Sequence, residues 1–172
     1  MTKFPLGQLA IREFASMTEA HFAASEISSA ATTANFDLRL IEVSPTAGGA
    51  WVCAWAAATA KSHFEVVAKK SDFEIVDVDE SLMNALLSLG PKPPIESTRI
   101  LILESKSIAD VLRSAKIYEM AGSVLLEIRI KRSGSAAGAY AFLAADDKPI
   151  DAAAPLKATS IKIVGDYRRF FF

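Results

Sequence analysis

A duplicated α/β (α+β) domain, each copy a mainly antiparallel four-stranded sheet with helices packed on it, is the fold that this sequence predicts. Three observations predict it. Alternating apolar stretches recur in the same order in the two halves of the 172-residue chain. Each half carries one long amphipathic stretch after its first strand. A proline-rich piece, Pro91-Lys92-Pro93-Pro94, separates the halves. Internal repetition is the mark of a duplicated unit, alternation marks half-buried strands, and spacing by threes and fours marks a helix.

The first copy opens on Gln8-Leu9-Ala10-Ile11-Arg12-Glu13-Phe14, an alternating strand. A helix follows over about Thr18 to Ala34, with the inward stripe Met17, Ala20, Ala24, Ile27, Ala31 and Ala34. Ser16 is its expected N-cap and Glu19 the partner three residues on. Phe36 to Val43 reads as the second strand. The breakers Ser44-Pro45-Thr46-Ala47-Gly48-Gly49 make a turn into the third strand, Trp51-Val52-Cys53-Ala54-Trp55. Thr59 to Lys70 reads as a helix with Phe64 and Val67 inward, and Phe73 to Val76 as the fourth strand. Ser81 to Leu89 forms a short helix with Leu82, Leu86 and Leu89 on one side. Gly90 and the prolines then end it.

About ninety residues later the pattern returns. Arg99 to Glu104 repeats the first strand, ending in glutamate as Glu13 ends the other. The helix stripe Ile108, Val111, Ala115, Tyr118, Gly122 repeats Met17, Ala20, Ala24, Ile27, Ala31. Val124 to Ile130 repeats the second strand. The turn Lys131 to Gly138 leads to Ala139 to Leu143, with Ala137-Gly138-Ala139-Tyr140 where the first copy has Gly48-Gly49-Ala50-Trp51. Ile161 to Val164 matches Phe73 to Val76. Asp147 to Thr159 contains Pro149 and Pro155 and forms a single turn at most, and no terminal helix follows. The expected division is a domain at 1–90, a stiff linker at 91–97 and a second domain at 98–172.

Composition narrows the function classes. Hydrophobic residues make up 51% and charged residues 23%, which excludes a disordered chain. Nineteen basic residues against twenty acidic ones, a net charge of −1, give no basic footprint for nucleic acid. The single cysteine, Cys53, excludes an intrachain disulfide and a thiolate-rich zinc site. Met1 to Pro5 has no apolar signal region, and no stretch approaches twenty uninterrupted apolar residues. A soluble cytoplasmic protein without membrane or nucleic-acid partner is expected, with no cofactor and no metal.

The ordered set of elements resembles the bacterial microcompartment shell domain. The resemblance rests on Leu6 to Phe14, on Ala30-Ala31-Thr32-Thr33-Ala34-Asn35-Phe36-Asp37-Leu38, and in the second copy on Ile100 to Glu104, Met120-Ala121-Gly122-Ser123-Val124 and the turn before Tyr140. It implies a tandem-domain shell protein, a homotrimer forming a flat pseudohexamer with a central opening. Other shell proteins and encapsulated enzymes are the further partners it implies. Thr32 and Met120 stand where most members carry a lysine late in the first helix. By the same resemblance the pore would be lined by Ser44, Pro45, Thr46, Ala47, Gly48 and Gly49 and by Lys131, Arg132, Ser133, Gly134 and Ser135. Small residues there let backbone amides face a passing anion, and Lys131 and Arg132 add positive potential. Any hairpin turn rich in Gly, Ser and Pro has the same composition.

Other candidates carry less chemistry. Glu13 and Glu104 form an acid/base pair only at a fixed separation; as duplicated residues they are read as caps of the following helices or partners of a basic residue. His21 and His63 match no metal-ligand spacing. Cys53, between Trp51 and Trp55, reads as a small buried residue. Asp77, Asp79 and Glu80 lack the spacing of a calcium loop. The ending Arg168-Arg169-Phe170-Phe171-Phe172 reads as a partner-docking tail, because three exposed phenylalanines would be a costly patch. The reading is therefore a structural, non-enzymatic protein. The alternative is a small-molecule-binding regulatory protein built from two ferredoxin-like halves.

Overall fold

A computed structural model describes residues 7–46, 48–86, 99–130, 138–147 and 150–162. They divide into two compact units, one ending at Glu80 and the other beginning at Ser81.

In the first unit β1 (Gly7–Phe14), β2 (Leu38–Thr46), β3 (Gly49–Ala57) and β4 (Glu74–Val78) form a sheet in the order β2-β3-β1-β4, antiparallel at every described pairing. α1 (Met17–Ala34) and α2 (Lys61–Lys70) lie on one face of it. The Ser16 hydroxyl accepts from the Glu19 amide at 3.2 Å and starts α1 where expected. Asn35 ends it in the left-handed conformation, φ 51°, a backbone state that Asn tolerates. The buried side of α1 is Ala20, Ala23, Ala24, Ile27 and Ala31. Met17 and Ala34, expected inward, are exposed, because they stand at the helix ends beyond the sheet's cover. Small side chains let the helix approach Ala10, Ala50, Val52, Ala54 and Ala56 of the sheet. Phe14, Phe36, Phe64 and Phe73 fill the same core. Phe64 is fully buried as expected, while Val67 is only half-buried and Ala68 takes the inner place.

The second unit repeats this order. β5 (Arg99–Ser105), β6 (Val124–Ile130), β7 (Ala139–Ala145) and β8 (Thr159–Lys162) form the sheet β6-β7-β5-β8, again antiparallel throughout. α4 (Ile108–Met120) packs on it through Ile108, Val111, Leu112, Ala115 and Tyr118. Gly122, expected in that stripe, lies beyond the helix end and is exposed. The short α3 (Glu80–Leu86), read from sequence as the end of the first copy, belongs from Ser81 on to the second compact unit. It buries Leu82, Met83 and Ala85, and its Ser81 hydroxyl donates to Glu119 of α4. Leu86 is half-buried, and Leu89 and the linker at 91–97 lie outside the described residues.

Registers fix the equivalence of the copies. Leu9 pairs with Trp55 and Val76; Ile100 pairs with Ala144 and Ile161. Ile161 therefore corresponds to Val76, three residues from the match that the sequence suggested. A shift by three is odd and turns the other side of the strand to the helices; pairing with β5, not the four residues of β8 themselves, decides it. Where the first unit has α2, the second has 150–158 without regular helix. The Leu156 amide donates to Ser114 Oγ at 3.1 Å and the Ala158 amide to Tyr118 Oη at 3.0 Å, tying that segment to α4.

Candidate functional site

The β2–β3 hairpin is the described half of the expected pore lining. Ser44 pairs with Trp51, Pro45 with Ala50 and Thr46 with Gly49, so the strands continue to the tip and only residues 47–48 connect them. The expected six-residue turn is thus two residues long. Pro45 is accommodated in a strand because β2 is at the sheet edge, where its missing N–H costs no ladder bond. Pro45 and Gly48 are exposed, Thr46 and Gly49 are half-buried, and Ser44 is buried with its hydroxyl donating to Glu42 Oε1 at 2.9 Å. The Thr46 hydroxyl is buried with no hydrogen-bond partner among the described residues. A side chain at Gly48 would meet open space. One at Gly49 would stand 1.9 Å from the Phe14 carbonyl oxygen.

The second hairpin keeps this design at its described end. A Cβ at Gly138 would stand 2.6 Å from the Ser105 carbonyl oxygen. Gly138 follows Gly49 in the register, since Ala50 pairs with Phe14 and Ala139 with Ser105. Lys131, Arg132, Ser133, Gly134 and Ser135 lie outside the described residues, as do Ala47 and the tail residues Arg168, Arg169, Phe170, Phe171 and Phe172.

Behind each hairpin the second strand carries an equivalent carboxylate. Glu42 faces Cys53 and Glu127 faces Phe142. Arg129 Nε donates to Glu127 Oε1 at 2.7 Å and Nη2 to Oε2 at 2.9 Å. The Arg129 guanidinium lies 5.9 Å from the Phe142 ring centre, and Tyr140 meets Phe142 edge-on at 5.2 Å. The hydrogen bonds that Arg129 donates to Glu127, then its hydrogen bond with Tyr140, hold it more firmly protonated than usual. Cys53 is 2% exposed, and burial, reinforced by Glu42, pushes its thiol up to about 12, so it is not a thiolate nucleophile at neutral pH.

Glu13 and Glu104 occupy matching places, opposite Trp51 and Tyr140. The N-caps of the helices that follow are Ser16 and Ser107, the latter accepting from the Asp110 amide at 3.2 Å. His21 and His63 are exposed, and no group of three metal-ligating side chains occurs among the described residues. Asp77 belongs to a polar cluster that sequence reasoning missed. Gln8 Nε2 donates to Glu65 Oε1 at 2.8 Å and to Asp77 Oδ1 at 2.9 Å, with Lys61 within 4 Å of both carboxylates. The Gln8 hydrogen bond is the main cause holding Glu65 below the usual carboxylate range. In the second unit Arg99, Leu101, Tyr118, Ala145, Asp146 and Ser160 line a cleft of about 210 Å3, which also went unforeseen because its lining comes from segments far apart in the chain.

The fold has a counterpart among solved structures. The solved structure of a microcompartment protein from Desulfitobacterium hafniense is similar, with a TM-score of 0.64 and 23% identity, over 81% of this chain and 78% of that one. The fold is of the microcompartment type. Two four-stranded antiparallel sheets with their helices are what two tandem microcompartment-like domains require. A protein of unknown function from Galdieria sulphuraria (TM-score 0.33, 9% identity, 83% of this chain and 81% of that one) is too distant to carry an argument. So is a putative glycine cleavage system transcriptional repressor (0.29, 7%, 92% and 97%). No family model and no curated protein sequence matches the chain. No described helix is long and apolar enough to cross a membrane.

Proposed function

We propose that this chain is a structural, shell-type protein of a bacterial microcompartment, acting as a homotrimer whose six domains form a pseudohexamer. The observation that carries the reading is the microcompartment-type fold, matched over 81% of the chain and present as two sheets of identical strand order. Three chains in a closed ring place six similar domains about one axis. In this reading the turns at 44–49 and 131–135 line a central pore for a small, anionic metabolite, and the protein performs no chemistry itself. Other shell proteins or enclosed enzymes are its partners. An exposed Pro45 and Gly48 at a hairpin tip held on rigid strands suit that place, since small side chains leave backbone amides accessible. Electron microscopy of the purified protein tests the reading: particles with threefold averages and a central opening are expected, and averages without a closed ring would overturn it.

One observation favours a second reading. The cleft of about 210 Å3 in the second unit has an apolar floor, Leu101 and Ala145, with Arg99, Asp146 and Ser160 as polar lining. A regulatory protein holding a small polar molecule would use such a site.

A further inference from the structure

The two sheets share one position that matches in place and differs in charge. Gln8 pairs with Ala56 and Asp77, and Arg99 pairs with Ala145 and Lys162. Arg99 therefore stands in the second unit where Gln8 stands in the first, and Lys162 where Asp77 stands. The Gln8 side chain lies between carboxylates, with Nε2 donating to Glu65 of α2 at 2.8 Å and to Asp77 at 2.9 Å. The second unit puts two cations in the corresponding places. Like charges directly opposite on neighbouring strands are destabilising. Among the described residues, the one carboxylate paired with Arg99 is that of Asp147, 3.5 Å from Nε and itself 64% exposed. Lys162 is exposed and has no ion pair among the described residues.

We propose that the cleft beside Arg99 binds a small molecule carrying one carboxylate and a short apolar body. The ligand's carboxylate meets Arg99 as the Glu65 carboxylate meets Gln8 in the first unit, and it offsets the repulsion between Arg99 and Lys162. A guanidinium presents paired N–H donors to a carboxylate, and such charge-assisted bonds are strong. The apolar body lies on Leu101 and Ala145, beside Ile150 and Ala158. A volume of about 210 Å3 suits only a small ligand. One wall is shaped in advance, since the Ala158 amide donates to Tyr118 Oη at 3.0 Å and the Leu156 amide to Ser114 Oγ at 3.1 Å, which lowers the ordering cost of binding. This assignment rests on the second reading, in which the cleft is a binding site, and is independent of a shell role.

Titration of the full chain with isovalerate, with its uncharged amide and with the matching amine, followed by nuclear magnetic resonance, tests it. Isovalerate is expected to shift the amide signals of Leu101, Ala145 and Ala158 and to bind about tenfold more tightly than either analogue. Arg99→Gln, which copies the first unit, is expected to weaken isovalerate by about tenfold, and unchanged affinity would overturn the proposal. Should that variant not fold, Lys162→Gln at its exposed position is expected to weaken isovalerate about threefold, and unchanged affinity there would overturn it equally. Equal binding of the amide, or tighter binding of the amine through Asp146, at the same signals would overturn the choice of a carboxylate and leave the cleft a binding site. Signals unmoved by all three compounds would overturn both.

Discussion

Gly49 and Gly138 let each sheet's third strand begin against the backbone that leaves its first strand. A methyl group at either position enters a carbonyl oxygen, that of Phe14 or Ser105, and the obstacle is backbone, which cannot swing aside. Gly49→Ala and Gly138→Ala are therefore expected to lower stability by about 1–3 kcal/mol each, as overpacking does. Gly48→Ala, facing open space, is expected to stay within about 0.5 kcal/mol. Denaturant melts of the three variants check this, and equal losses would contradict it. The correspondence of these two glycines was legible in the sequence from the aromatic that follows each by two residues. Their physical reason was not, because the obstructing oxygens are some 35 residues away in the chain. The Gln8 cluster was hidden in the same way, being assembled across separations of 57 and 69 residues.

At the scale of elements, strands and first helices were readable because alternation and three-four spacing report directly which side meets the core. Ser16 likewise announced its cap. What the sequence did not reveal were the ends and the phase. β2 runs through Pro45 because it is an edge strand, a property set by neighbours rather than by its own residues. Ile161 takes the place of Val76 because pairing with β5 decides the register. Residues 150–158 replace α2 with hydrogen bonds from their backbone amides to two α4 side chains in place of a buried Phe64. Tyr118→Phe and Ser114→Ala each leave one backbone amide without its partner. Each is expected to cost about 1 kcal/mol and to speed amide hydrogen exchange of Ala158 or Leu156 respectively, leaving β6 and β7 protected. Exchange unchanged at both amides would show that the segment is held by other means.

At the scale of the whole molecule, duplication is the organising fact. The same strand order, the same glycine at the head of the third strand and the same carboxylate on the second strand recur in both units. The copies then diverge: one sheet is buried on both faces by large side chains such as Trp51, Trp55 and Phe64, while the other has a cleft on one side and a half-open face on the other. Two similar but unequal domains in one chain turn a sixfold ring into a threefold one, so the number of chains per particle is the decisive quantity. The mass of the native particle, measured by light scattering across a range of protein and salt concentrations, tests the account most directly. Three chains of 18.5 kDa predict a stable particle of about 55 kDa. A monomer or dimer at every concentration would contradict the trimeric shell reading.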